Sequence, residues 1–204
     1  VMKTNTQVVV IGGGVVGASV LYHLTKLGWT DVVLLERTEY TAGSTWHSAG
    51  GMHTLNGDPN VAKLQQYTIT LYEEIEKESG MDASMHITGG VMLADTPERM
   101  DWLKMSHARG RYLGMETELI SAEEAQELLP ILDPQYFVGA MWDAHEGHLD
   151  PSQITHAYLE CARNRGAETH RHSWVRDITR AADGGWDLTV YDPRTDEDLS
   201  LIHI

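Results

Sequence analysis

The 204-residue sequence predicts an α/β fold: a parallel sheet begun by a strand–helix–strand unit and interrupted by a mixed α+β insertion. Three observations carry that expectation. Residues 8–36, VVVIGGGVVGASVLYHLTKLGWTDVVLLE, pass from an apolar β-branched run through spaced glycines into a helical pattern and back to an apolar run. From about Ser84 to Trp142 the pattern changes to short strands and helices unlike a doubly wound sheet. A helix opening at Pro151 and a strand near His170 then resume the first pattern.

Within the first unit, Val8–Ile11 is a strand, and Gly12, Gly14 and Gly17 stand in the spacing G-x-G-x-x-G. Val16, Val20, Leu24 and Leu27 form an apolar helical stripe, Gly28 stops the helix, and Val32–Leu35 is the second strand, ending in Glu36. The whole has about the ~30 residues of a dinucleotide-binding βαβ unit of the Rossmann kind. Each glycine has its own reason. Gly12 allows the tight turn, Gly14 lets a pyrophosphate approach the backbone, and Gly17 lets the helix pack close to the strands. The helix start, with Val15 and Val16 in its first turn, aims N–H groups and the positive dipole end at phosphates. Glu36 can accept both ribose hydroxyls of an adenosine and would repel a 2′-phosphate, which disfavours NADP. NAD and FAD both remain open on these residues. A glycine-rich turn that binds nothing is the competing reading, but it leaves the terminal acid to chance.

Residues 37–56, RTEYTAGSTWHSAGGMHTLN, are too polar and glycine-rich for a buried strand. They follow the cofactor-facing end of the second strand, where ligands of open α/β sheets bind. Asp58-Pro59-Asn60 reads as a helix start. Val61, Leu64, Tyr67, Ile69, Leu71, Tyr72 and Ile75 follow at roughly helical spacing, and Gly80 ends the helix. Met85–Ile87 and Val91–Ala94 read as short strands around Gly89-Gly90. Thr96 caps a helix with Pro97 at its first position, reaching about Leu113. Glu118–Ile120 is a brief strand, and Ser121 to Glu124 forms a capping box for a helix that Pro130 closes. Phe137–Trp142 reads as a strand and DAHEGHLD, residues 143–150, as a loop crossing back between domains. The helix from Pro151 turns Ile154, Ala157, Tyr158, Cys161 and Ala162 inward. Glu168–His172 is a candidate third parallel strand, and Val175–Arg180 with Trp186–Tyr191 flank the hairpin signal Asp183-Gly184-Gly185. The expected organisation is a nucleotide domain over 1–83, a partial substrate-side domain over 84–142, the nucleotide domain again over 143–195, and a tail over 196–204 that does not continue the pattern of the domain.

Composition bounds the rest. A net charge of −15 excludes the basic patch that nucleic acid requires. No apolar run reaches the ~18 residues of a membrane span. Cys161 is the only cysteine, so no intrachain disulfide forms, which fits a reducing compartment; its helical setting marks it as a core residue. His145, His148, His170 and His172 are spaced without the convergence a metal requires, and no metal is expected. The chain starts at Val1 rather than at methionine, which leaves its natural N-terminus open.

Several segments together resemble the FAD-dependent amine oxidoreductases of the D-amino-acid-oxidase type, nearest to dimethylglycine and sarcosine dehydrogenases. They are Gly12 to Gly17, Glu36-Arg37, Thr41-Ala42-Gly43-Ser44-Thr45-Trp46-His47, Gly89-Gly90 and Glu146 to Pro151. Tyr40 and Ser48 depart mildly from the family pattern, where leucine and alanine are common. The resemblance implies an N-terminal portion of a larger enzyme. It implies FAD held by Gly12, Gly14, Val15, Val16, Gly17, Glu36, Arg37, the segment Ala42, Gly43, Ser44, Thr45, Trp46 and His47, and the backbone of Val175. His47 takes the position of the histidine bonded covalently to the flavin. The implied reaction is oxidation of a small N-methyl amine, with an electron-transfer protein or oxygen as acceptor, and tetrahydrofolate only in a longer chain. The base and the substrate-carboxylate clamp fall in later sequence, so no catalytic residue is assigned. A bacterial cytoplasm and a mitochondrial matrix both suit it. An NAD-dependent dehydrogenase and a non-catalytic dinucleotide-binding module are the alternatives.

Overall fold

The structure is a computed structural model describing residues 2–56 and 58–204; Val1, where the sequence begins without methionine, lies outside the described residues. In chain order the elements are β1 (Val8–Ile11), α1 (Val15–Lys26), β2 (Val32–Leu35), β3 (Gly51–Met52) and α2 (Pro59–Ser79). Then come β4 (Gly90–Ala94), α3 (Pro97–Tyr112), β5 (Thr117–Ile120), α4 (Ala122–Leu128), β6 (Gly139–Asp143) and β7 (Gly147–His148). The chain ends with α5 (Pro151–Asn164), β8 (Glu168–His170), β9 (Trp174–Arg180), β10 (Trp186–Asp192) and β11 (Glu197–His203). They form two compact units: residues 1–49, 74–83 and 150–204, and residues 50–73 and 84–149.

The first unit is layered about a parallel sheet of order β1-β2-β8. Val8 pairs with Val32, Ile11 with Leu35, and Leu35 with His170, so the expected third parallel strand is present over Glu168–His170. All four residues of β2 are buried, as a parallel strand covered on both faces must be. Val33 and Leu35 pack with Leu188, Val190 and Ile202 of an antiparallel sheet of order β11-β10-β9. The pleat turns Val32 and Leu34 to the opposite face, where α1 and α5 lie. The hairpin of β9 and β10 matches the sequence expectation. The tail adds a strand that no sequence signal announced: Asp187 pairs with His203 and Leu188 with Ile202. His203 joins β11 to the hairpin through Asp187 at 2.8 Å and Asp183 at 2.9 Å.

Helix α1 corrects one expectation. Its buried residues are Ala18, Leu21, Tyr22 and Thr25, whereas Val16 is 75% exposed, Val20 46% and Leu27 79%. The helix is apolar over most of its circumference, so two stripes compete in the sequence. Packing against α5 selects the one with the small Ala18 and with Tyr22, whose ring meets Tyr158 edge-on at 5.3 Å. Helix α5 is clearly one-sided, and its inward set is as expected, joined by Thr155 and Leu159. Asp150 caps it, accepting from the N–H groups of Ser152 and Gln153 at 2.7 and 3.0 Å, with Pro151 in the first turn.

The second unit centres on an antiparallel sheet of order β4-β6-β5, with Val91 opposite Trp142 and Leu119 opposite Met141. Thr96 caps α3 through the Arg99 N–H at 3.2 Å, and Ser121 with Glu124 completes the capping box of α4. Ala94, Leu103 and Met141 form one core cluster, and Ala125, Leu132 and Ala140 another. Residues 85–87 are not a strand; they contribute a single bridge, His86 opposite His148. The pairing of β3 with β7 brings residues 50–73 and 143–149 into this unit, so its return boundary falls at Leu149 rather than at Trp142.

The burial pattern of α1 is testable by urea unfolding of the chain. Leu21→Ala is expected to cost about 2–5 kcal/mol, and Val16→Ala no more than about 0.5 kcal/mol. The reverse ranking would reinstate the stripe through Val16 and Val20.

Candidate dinucleotide site

The site is built at the C-terminal ends of β1 and β2. Gly12 leaves β1 with φ +109°, a conformation that a side chain rarely tolerates, and its N–H donates to the Leu35 carbonyl at 2.8 Å. A Cβ at Gly17 would lie 2.0 Å from the Gly12 carbonyl oxygen, so the close approach of helix to turn requires glycine there. Gly14 is the N-cap of α1 and has no side chain to serve the exposed N–H groups of the first turn.

That service comes from thirty residues away. Thr45, buried in a 3-10 turn spanning Thr45–His47, accepts the Val15 N–H on its Oγ1 at 3.0 Å. A Cβ on Gly14 would sit 3.0 Å from the same oxygen. The Thr41 N–H donates to the Gly13 carbonyl at 3.0 Å, and the Ser152 hydroxyl on α5 donates to Thr41 Oγ1 at 3.2 Å. Thr41 itself has φ +67° and is buried. The segment 41–47 is therefore tied at both ends to the glycine turn and the start of α1.

Glu36 ends β2 with both oxygens engaged. Oε2 accepts the Gly13 N–H at 2.7 Å, and Oε1 accepts the Thr38 N–H at 2.7 Å and the Thr38 hydroxyl at 3.1 Å. A carboxylate offers about four lone-pair sites, so with three engaged capacity for about one ribose hydroxyl remains, rather than for both. Gly13 had no role in the sequence reading, yet a Cβ there would lie 2.6 Å from Tyr40 Cδ1 and 2.9 Å from Glu36 Cβ. A glycine at a variable position of the motif was the available signal.

A crevice of about 290 Å³ opens here, lined by Ile11, Gly12, Leu35, Glu36, Arg37, Ser173, Trp174 and Val175. It brings together Gly12, Glu36, Arg37 and Val175, four residues marked from sequence across more than 160 positions of chain. Ile11, Leu35, Ser173 and Trp174 were not marked as site residues. Ala42, Gly43, Ser44, Trp46 and His47 do not line it; they are exposed on the segment anchored by Thr41 and Thr45. The His47 ring rests against Trp46, with centroids 3.8 Å apart and a 34° tilt, and neither of its nitrogens has a hydrogen-bond partner among the described residues.

The other candidates are occupied by ordinary contacts. His170 pairs with Glu168 at 3.2 Å and His172 with Glu39 at 2.8 Å, while His148 lies across from His86 and His145 beside Asp143. Cys161 is buried, and burial first, then the nearby Glu78 charge, pushes its thiol up to about 12. No helix among the described residues is long and apolar enough to cross a membrane.

A strand–glycine turn–helix–strand unit ending in an acid, with a crevice at the strand ends, defines a dinucleotide-binding protein. A family profile described as "DAO: FAD dependent oxidoreductase" matches residues 7–199, and the chain belongs to this family of FAD-dependent oxidoreductases. Human mitochondrial dimethylglycine dehydrogenase is 39% identical over 186 residues, 91% of this chain and 22% of that protein. Human mitochondrial sarcosine dehydrogenase is 34% identical over 178 residues, 87% of the chain and 19% of that protein. A mouse mitochondrial pyruvate dehydrogenase phosphatase regulatory subunit is 34% identical over 177 residues, 87% of the chain and 20% of that protein. Among solved structures, L-proline dehydrogenase from P. horikoshii superposes with a TM-score of 0.85 at 25% identity, covering 99% of this chain and 51% of that one. The chain thus spans about a fifth of the curated relatives' length.

The residues fit the family's cofactor. The turn is a cradle that side chains would fill, and the acid at the end of β2 borders an open crevice of the kind a dinucleotide needs. The cofactor of the family is FAD, which favours the FAD reading over the NAD-dependent alternative.

Thr45→Val removes the acceptor of the Val15 N–H while keeping the side-chain shape. It is expected to destabilise the chain by about 0.5–2 kcal/mol, the range for losing a helix cap. Denaturant titration checks this; an unchanged midpoint would show that water serves the N–H equally well.

Proposed function

We propose that the protein containing this chain oxidises a small N-methyl amine, of the dimethylglycine or sarcosine class, and that its FAD is bonded covalently to His47. The observation that carries the reading is the pinning of segment 41–47 to the start of α1 through Thr45 and Thr41. It ties the histidine-bearing turn to the phosphate-facing end of the helix. The printed names of the dimethylglycine and sarcosine dehydrogenases support the substrate class.

When bound, FAD supplies the two-electron acceptor for the C–H bond next to the amine nitrogen. The chain's own residues hold and orient. The pyrophosphate is received by the start of α1 through the N–H groups of Gly14, Val16 and Gly17, while the Gly12, Gly13 and Val15 N–H groups are held by Leu35, Glu36 and Thr45 and shape the turn around it. Glu36 accepts a ribose hydroxyl; Arg37 and the Val175 backbone border the base. Ala42, Gly43 and Ser44 present backbone with little side-chain bulk. His47, whose ring nitrogens have no hydrogen-bond partner among the described residues, offers a ring nitrogen for attachment, and Trp46 lies against its ring. The amine reacts in its neutral form, because its lone pair stabilises the developing iminium. The acceptor is an electron-transfer protein or oxygen, and a tetrahydrofolate role belongs to the longer protein.

A second reading is a non-catalytic flavin- or nucleotide-binding module. The relative named as a regulatory subunit, 34% identical, favours it. Assay of the longer protein on N-methyl amines separates the two: turnover supports the enzyme, and flavin binding without turnover supports the module.

Acid precipitation of the full-length protein tests the attachment. Flavin should stay in the pellet of wild type and pass to the supernatant in His47→Ala; flavin released from wild type would refute the covalent link. The 204-residue chain alone is expected to form no formaldehyde from sarcosine or dimethylglycine, and turnover by it would overturn the assignment of the base and clamp to later sequence.

A further inference from the structure

We infer that Trp174 is the aromatic wall against which the purine ring of the bound dinucleotide stacks, and that Arg176 and Tyr191 hold the indole in place for it. This rests on the reading of the crevice as the cofactor site.

Trp174 sits where the adenosine end must be. The crevice runs from the glycine turn at Gly12, past Glu36 and Arg37, to Ser173, Trp174 and Val175. Phosphates belong at the turn and ribose hydroxyls at Glu36, so the base falls beyond them, at 173–175. A backbone ladder fixes that end. The Glu36 N–H donates to the His170 carbonyl at 2.8 Å, the His172 N–H to Thr38 at 3.1 Å, and the Ser173 N–H to Glu36 at 2.8 Å. Trp174 cannot drift from Arg37 without breaking this ladder.

The indole has the chemistry and the rigidity for stacking. It is 39% exposed, and it is the only aromatic side chain among the eight residues that line the crevice. Its ring meets Tyr191 edge-on, with centroids 6.0 Å apart and a 71° interplanar angle. The Arg176 guanidinium lies 3.7 Å from the Tyr191 ring centre and 5.5 Å from that of Trp174. The Tyr191 hydroxyl is itself bonded to Asp196. An exposed indole would ordinarily sample several rotamers. This cation–aromatic cluster restricts it before any ligand arrives, so little ordering cost remains for binding. Ile11, Leu35 and Val175 add apolar surface of the kind on which the faces of a flat heterocycle pack. Trp174 and Tyr191 are also directly opposite in the β9–β10 ladder, a pair that stabilises the hairpin, but the indole is too exposed to serve mainly as core.

Calorimetric titration of flavin-free chain, produced under riboflavin starvation, with ADP and with inorganic pyrophosphate tests the inference. Trp174→Ala should weaken ADP binding about ten-fold, equivalent to about 1.4 kcal/mol, and leave pyrophosphate within about two-fold. Trp174→Phe keeps a flat face and should recover binding to within about three-fold of wild type, and Trp174→Leu, of similar bulk without the π face, should not. ADP affinity unchanged in Trp174→Ala overturns the inference. So does an equal loss toward ADP and pyrophosphate, which would mark Trp174 as a general support of the crevice. If the alanine variant fails to fold by circular dichroism, the Phe and Leu pair decides. A wild-type chain that binds neither probe overturns the dinucleotide site itself, a failure distinct from that of the wall.

Discussion

The close approach of α1 to the turn that precedes it is the constraint on which the rest of the site depends. Gly17 lies so near the Gly12 carbonyl that no side chain can intervene. That proximity aims the helix start at the strand ends, where its free N–H groups and dipole favour an anion. It also leaves the first turn without a local cap, because the N-cap residue is Gly14. Thr45 meets the need from a distant loop, and in doing so fixes the position of the histidine two residues later. The course of the turn, the capping of the helix by a distant loop and the placement of His47 are thus linked.

Burial of β2 on both faces is the second support. Val32 and Leu34 face helices, while Val33 and Leu35 face a sheet made from the last thirty residues of the chain. The crevice inherits its walls from this arrangement. Its floor is the end of β2, and its far side is the strand that follows β8. The register of β2 with β8 sets Glu36 beside residues 170–173, so residues more than 130 positions apart come to line one cleft. The chain belongs to a family of FAD-dependent oxidoreductases and spans about a fifth of the length of the dimethylglycine and sarcosine dehydrogenases it matches.

Much of the architecture was legible from local signals because those signals are local physics. The caps at Thr96 and Ser121, the helix start at Pro151, the spacing of glycines, and the inward face of α5 each depend on neighbours a few residues away. Where the pattern was degenerate it misled. Helix α1 is apolar nearly all round, so periodicity alone pointed to Val16 and Val20, and only contact with α5 chose Leu21 and Tyr22. Met85–Ile87 has strand composition but only one bridging partner. The tail from Asp196 lacks a distinctive pattern, and its strand exists because β10 offers a free edge.

By itself, the amino-acid order determined the βαβ unit, the acid at its end, the histidine-bearing segment and the interruption of the parallel sheet. These follow from steric limits at glycine, from hydrophobic period and from hydrogen bonding over short separations. Only the tertiary structure decided that Thr45 serves Val15, that Gly13 has no room for a side chain, and that Trp174 faces the same crevice as Glu36. Those facts depend on contacts between segments far apart in the chain, which folding brings together and no local pattern encodes.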